Sequence, residues 1–230
     1  MLIGILQTGL APDVLSDMGD YPDMFARLLH GHGLTFRTFR VVDGVFPVSV
    51  AECDGWLITG SRHGVYEGHA WIPPLEQFIR DCSAAGVPMV GICFGHQIIA
   101  QAMGGRVEQF IGGWAVGATD YDFGGNTLTL NAWHRDQVVQ VPPGARVVAT
   151  NDFCANAALL YDHAFTIQPH PEFRPEFVDG LMRTRGKGVV PDALMATAAQ
   201  NLTKPLGDRS IATQIATFFQ SNRAKPAPIR

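Results

Sequence analysis

Several protein classes are excluded by what the chain has little of. Only 17% of its 230 residues are charged, 17 basic against 21 acidic, for a formal charge of -4. The basic residues form no block, so the footprint of general nucleic-acid or anionic-membrane binding is missing. No apolar run approaches the roughly 18 residues that a membrane span needs. Residues 1–8 enter an apolar, strand-like run without a basic segment or a small-residue cleavage site. A cytoplasmic protein is expected, with a small molecule or another protein as its partner. Cysteine is also scarce: Cys53, Cys82, Cys93 and Cys154 form no CxxC pair and have no close histidine of the kind zinc sites use. Free thiols in a reducing compartment follow, and neither a metal nor a cofactor is expected.

Apolar material is plentiful. A chain of this length with 47% hydrophobic residues can withdraw roughly 70% of its unfolded surface from water. No repeat, low-complexity stretch or linker divides it, so residues 1–230 are read as a single domain. The basic, proline-containing residues 224–230 are expected to be a mobile tail. Short apolar runs bounded by turn residues at 2–7, 55–59 and 87–93 read as strands buried on both faces, and 35–41 as another strand. Residues 22–29 place Met24, Phe25, Leu28 and Leu29 on one helical face, and 72–84 do the same with Leu75, Phe78 and Ile79. This order predicts an α/β fold, an open and mostly parallel sheet flanked by helices. Beyond Gly104 and Gly105, β-branched and aromatic residues separated by Gly112-Gly113, Gly124-Gly125 and Pro142-Pro143-Gly144 predict shorter strands, some of them antiparallel. Residues 177–183 and 211–219 read as helices.

The segment at 87–101 carries the most chemistry. An apolar strand runs into Gly91-Ile92-Cys93-Phe94-Gly95 and at once into a helix, the arrangement of a nucleophile elbow with cysteine in place of serine. Glycines two residues to either side relieve crowding at such a turn. The helix that follows turns its amides and positive dipole end toward the sulfur. A buried structural cysteine is the competing reading, and it is the one adopted for Cys53, Cys82 and Cys154. A second segment separates Cys93 from these. In Gln168-Pro169-His170-Pro171-Glu172, an extended chain puts Glu172 beside His170, where it can hold one ring nitrogen while the other faces a substrate. A nucleophile, a base and a group that orients the base are the parts acyl transfer requires.

Together these segments resemble the class I, triad-type glutamine amidotransferases, in particular stand-alone proteins similar to the amidotransferase half of GMP synthase. The family pattern G-x-C-x-G-x-Q is met by Gly91, Cys93, Gly95 and Gln97, and H-P-E by His170, Pro171 and Glu172. The likeness spans about residues 1–190. It implies a flavodoxin-like fold and a Cys93 that is acylated by the side-chain amide of glutamine, with ammonia released for an acceptor. His170 would move protons, oriented by Glu172, and no cofactor would be needed. It further implies an oxyanion hole from the amides of Gly60 and Phe94, and a substrate contact at Gln97. Trp133 and His134, in a segment similar to the family's S-H-x-D, would meet the substrate, with a surface turn as the alternative. Where synthase-associated members carry a Gly-Gly-Pro type loop, this chain has Gly60-Ser61-Arg62-His63-Gly64. Arg62 is read either as a carboxylate partner or as a solvated side chain. The implied substrate is glutamine or a γ-glutamyl compound. A separate synthase subunit would be the ammonia acceptor in the first case, and a stand-alone γ-glutamyl peptide hydrolase is the alternative. A non-catalytic binding module ranks third, since it has no use for all three polar residues.

Overall fold

The computed structural model describes residues 1–222; the expected tail at 224–230 lies outside the described residues. Five strands account for the parallel part of the main sheet: β1 (Leu2–Leu6), β2 (Thr35–Phe39), β3 (Gly55–Ile58), β4 (Met89–Ile92) and, much later, β11 (Ala164–Ile167). With β9 (Arg146–Ala149) and β10 (Ala158–Leu160) they form a seven-stranded sheet in the order β2-β1-β3-β4-β11-β10-β9. The pairs from β2 to β11 are parallel, and β10 runs antiparallel to both of its neighbours.

Strand alternation divides the core between the two faces. Trp56 and Ile58 pack with Leu75 and Ile79 of α2 (Ile72–Ala84) and with Phe94 and Ile98 of α3 (Phe94–Ala102). Ile3, Ile5 and Leu57 face the other way. They meet Phe25 of α1 (Tyr21–Leu28) and Ile211, Ile215 and Phe219 of α6 (Asp208–Ser221). Covering on both faces is why the central strands read as unbroken apolar runs.

The middle of the chain differs from the expectation of short strands. β6 (Ala115–Asp122) and β7 (Thr127–His134) have 8 residues each, the longest strands among the described residues, and form an antiparallel hairpin of their own. Gly124 and Gly125 both have positive φ at its tip, which lets a tight turn match the strand twist. β5 (Arg106–Gln109) and β8 (Asp136–Gln140) make a second antiparallel pair. The helix read at 177–183 is α4 (Pro175–Leu181), which runs on into a π-helical turn, Met182–Gly186. A further helix, α5 (Asp192–Gln200), packs Ala198 against Gly117 of β6.

Candidate active site

The C-terminal ends of β1, β3, β4 and β11 lie at one edge of the sheet, the usual place for chemistry in an open α/β fold. Cys93 follows β4 and stands at φ 53, ψ -102, the single non-glycine residue with positive φ among those described. The two glycines of the elbow are dictated by contact. A Cβ on Gly91 would lie 2.4 Å from the carbonyl oxygen of Gly95, and one on Gly95 would lie 2.3 Å from that of Ile58. The Cys93 amide donates to Ile167 O of β11 at 2.9 Å, so the neighbouring strand anchors the elbow.

That same neighbour delivers the histidine. Three residues past β11, the His170 amide donates to Asn131 O of β7 at 2.8 Å, while Asn131 Nδ2 donates to Phe173 O at 2.9 Å. His170 Nδ1 lies 2.6 Å from Glu172 Oε1, with side-chain exposures of 5% and 1%. Burial by itself would discharge this imidazole. The Glu172 carboxylate and, after it, the adjacent Cys93 sulfur overcome it and push the His170 pKa up to about 10. The Phe173 ring lies flat against His170 and packs in turn on Phe177 of α4.

Gly60 sits directly across from this pair: a Cβ there would be 2.9 Å from His170 Cε1 and 3.8 Å from Cys93 Cβ. The strand ends fix its position. Thr8 Oγ1 donates to Thr59 O at 3.0 Å, and Ser61 Oγ donates to Thr8 O at 2.7 Å. Phe94 opens α3, where the first amides have no partner within the helix.

Cys93 and His170 open into a cavity of about 310 Å³ whose walls include Arg62, Gln97, Trp133 and His134. Glu172 stands behind the imidazole, outside those walls. Two of the substrate-binding expectations change in detail. The amide nitrogen of Gln97 is committed to the protein, donating to Asp136 O and to Gln168 Oε1, both at 3.0 Å. Trp133 and His134 close a strand and are not a surface turn. His134 is 3% exposed, and burial holds its pKa down at about 3, so it is a neutral imidazole. Its Nε2 has no hydrogen-bond partner among the described residues.

Tyr21, Arg135, Phe173 and Arg185 also wall the cavity and were not singled out from the sequence. Arg185, on the π-helical turn, donates to Tyr21 Oη at 3.2 Å and to Leu10 O at 2.8 Å. Tyr21 opens α1 behind Asp20, whose carboxylate accepts the Tyr21 amide at 2.8 Å and the Gln7 side chain at 2.6 Å. An aspartate at a helix start was legible as a cap. For Arg185 no local signal existed.

Fold and site define an α/β protein in which a strained cysteine elbow faces a buried histidine–glutamate pair. The family model for class I glutamine amidotransferases matches residues 32–182, and the chain belongs to that family. Gamma-glutamyl peptidase 4 of Arabidopsis thaliana is 29% identical over 220 residues, covering 87% of each chain. The glutamine-hydrolyzing GMP synthase of Clostridium novyi is 30% identical over 212 residues, which are 84% of this chain and 40% of that enzyme. A solved glutamine amidotransferase from Methylobacillus flagellatus shares the fold at 21% identity, with a TM-score of 0.78 over 100% of this chain and 97% of that one.

Proposed function

We propose that the chain hydrolyses γ-glutamyl amide bonds through a thioester on Cys93, and that its substrate is a γ-glutamyl peptide or amide. The observation that carries this reading is the buried 2.6 Å contact between His170 and Glu172, set against Cys93 at the wall of one cavity. A cationic imidazole beside the sulfur stabilises negative charge on it. The thiolate attacks the γ-carbonyl carbon, and the amides of Gly60 and Phe94 receive the oxyanion. His170 gives its proton to the leaving nitrogen, the C–N bond breaks, and a γ-glutamyl thioester remains. The now neutral imidazole takes a proton from water, hydroxide adds to the thioester, and glutamate leaves as the thiolate returns.

The charge of the cavity bears on the size of the leaving group. Arg62, Arg135 and Arg185 outnumber Glu67 and Asp136 on the cavity walls, and a γ-glutamyl peptide brings two carboxylates where glutamine brings one. The likeness to GMP synthase favours a second reading, in which glutamine is the substrate and ammonia passes to a separate synthase subunit.

Glutamate release by the purified chain, with free glutamine and a γ-glutamyl dipeptide compared, separates the two. We expect faster turnover of the dipeptide and none with Cys93→Ala. Preference for glutamine would install the second reading, and turnover that survives in Cys93→Ala would overturn both.

A further inference from the structure

The loop in which this chain departs from synthase-associated relatives holds a second set of polar side chains, at the rim of the same cavity. His63 Nδ1 lies 3.1 Å from Glu67 Oε2, and His69 Nε2 lies 2.7 Å from that same oxygen. One atom from each of the three residues falls within 4.8 Å of the other two. The groups are oriented from behind. The Gly64 amide donates to Glu67 Oε1 at 3.0 Å, leaving Oε2 for the histidines. His69 lies over the buried Trp71 ring at 5.8 Å and 12°, and the His63 amide is held by Ser61 Oγ at 3.2 Å. A carboxylate held through one oxygen by a backbone amide keeps its other oxygen aimed at the two rings.

We propose that His63, Glu67 and His69 form a divalent transition-metal site, with Zn²⁺ the ion that fits, on the rim of the substrate cavity. Two imidazoles and one carboxylate are a set suited to zinc, and three protein ligands leave a fourth position for water or another oxygen. At metal–ligand bonds of about 2.0 Å, tetrahedral ligands stand about 3.3 Å apart. Against that spacing the present contacts are 3.1 and 2.7 Å, and the two imidazole nitrogens lie within 4.8 Å of each other, so modest side-chain rotations bring the three atoms onto one ion.

In the metal-free loop, both imidazoles can instead donate N–H to Glu67 Oε2, an arrangement that is satisfied without an ion. Ligation asks each ring to present a lone pair there, with its proton on the other ring nitrogen. The cysteine count gave no hint of this site because it uses no cysteine. His63 and Glu67 also wall the cavity, so the ion would stiffen the rim that carries Arg62.

The test is calorimetric titration of the full chain with zinc chloride in the Cys93→Ala background, where the active-site thiol cannot bind zinc. Tryptophan fluorescence is followed in parallel, because Trp71 lies against His69. One zinc per chain is expected. Each of His63→Ala, Glu67→Gln and His69→Ala should weaken it by roughly 100-fold, at or beyond the upper end of losses seen for outer partners alone. A His30→Ala, His32→Ala double variant should bind as before, and excess Mg²⁺ should not compete. Circular dichroism identifies any variant that does not fold, in which case the others decide. Lack of saturable uptake overturns the proposal, as does full affinity in the folded Glu67→Gln and His69→Ala chains. Binding is read without turnover, so the result stands apart from the choice of substrate.

Discussion

The rings of His170 and Phe173 lie face to face, 4.0 Å between centroids and 3° between planes. Glu172 fixes one edge of the imidazole and Phe173 fixes its face, so the ring has no freedom to swing away from Cys93. Phe173→Ala removes that wall and an aromatic that is 3% exposed. We expect a loss of about 3–5 kcal/mol in stability and a fall in kcat/KM of roughly 10- to 100-fold from the misplaced base. Phe173→Leu should keep most of the stability and little of the activity. Urea unfolding beside steady-state kinetics checks both, and a leucine variant with unimpaired kcat/KM would deny the ring any positioning role.

The charge on His170 predicts a pH dependence. Its folded pKa of about 10 stands above the ordinary value of about 6.5. The stability it contributes is therefore complete below pH 6.5 and is lost as pH rises through about 10. In the proposed cycle the leaving nitrogen takes its proton from the imidazolium, so the alkaline limb of kcat/KM should fall in the same range. Glu172→Gln deletes the larger of the two charges that oppose burial and leaves only the Cys93 sulfur against it. That limb should then move to lower pH, with activity on the alkaline side reduced. An alkaline limb that stays in place would show that another group sets it.

Different parts of the molecule were legible to different degrees. The elbow was readable because everything it needs is local: a strand, a helix, and glycines at 91 and 95 where a Cβ would strike a carbonyl. His170 and Glu172 were readable as a pair because two residues of extended chain bring their side chains together. That β11 lies beside β4 was not legible in residues 164–167; only the family likeness assigned His170 and Cys93 to one site. Arg185 reaches Leu10 across 175 residues of chain, and no window of sequence contains that contact. α5 escaped notice because alanines on every side of DALMATAAQ blur the face on which Leu194, Met195 and Ala198 pack. The length of β6 and β7 was hidden for a related reason: their half-exposed polar positions break the apolar runs by which the central strands were recognised.

Two other histidines predict the opposite response to pH. His96 is fully buried, hydrogen-bonded through Nδ1 to Thr166 Oγ1 at 2.8 Å, and burial lowers its pKa to about 3, as it does for His134. Both bind a proton in the unfolded chain at about pH 6.5 but not in the folded one until about pH 3. Stability should therefore fall on acidification across that window, by several kcal/mol in sum, while His170, already charged, adds nothing to the loss. His96→Gln should take up no proton and flatten the decline by about half. Urea midpoints measured from pH 7 to pH 4 decide this; parallel curves for the two proteins would assign the acid sensitivity to carboxylates instead.

The elbow itself should cost the protein stability. At φ 53, ψ -102, a residue with a Cβ pays on the order of 1–3 kcal/mol that glycine does not. Alanine keeps the Cβ and loses only the sulfur, so Cys93→Ala and Cys93→Gly form a pair in which backbone strain is the main difference. Glycine also loosens the unfolded chain, which offsets up to about 1 kcal/mol of the relief. We expect both variants to be inactive, and Cys93→Gly to unfold at a higher urea concentration than Cys93→Ala, by about 1 kcal/mol in stability. The gain would measure what the fold gives up to hold a sulfur at the head of α3, beside His170. If the glycine variant is instead the less stable of the two, the backbone at 93 is relaxed, and the positive φ reflects the crowding of Gly91 and Gly95 without storing energy at the cysteine.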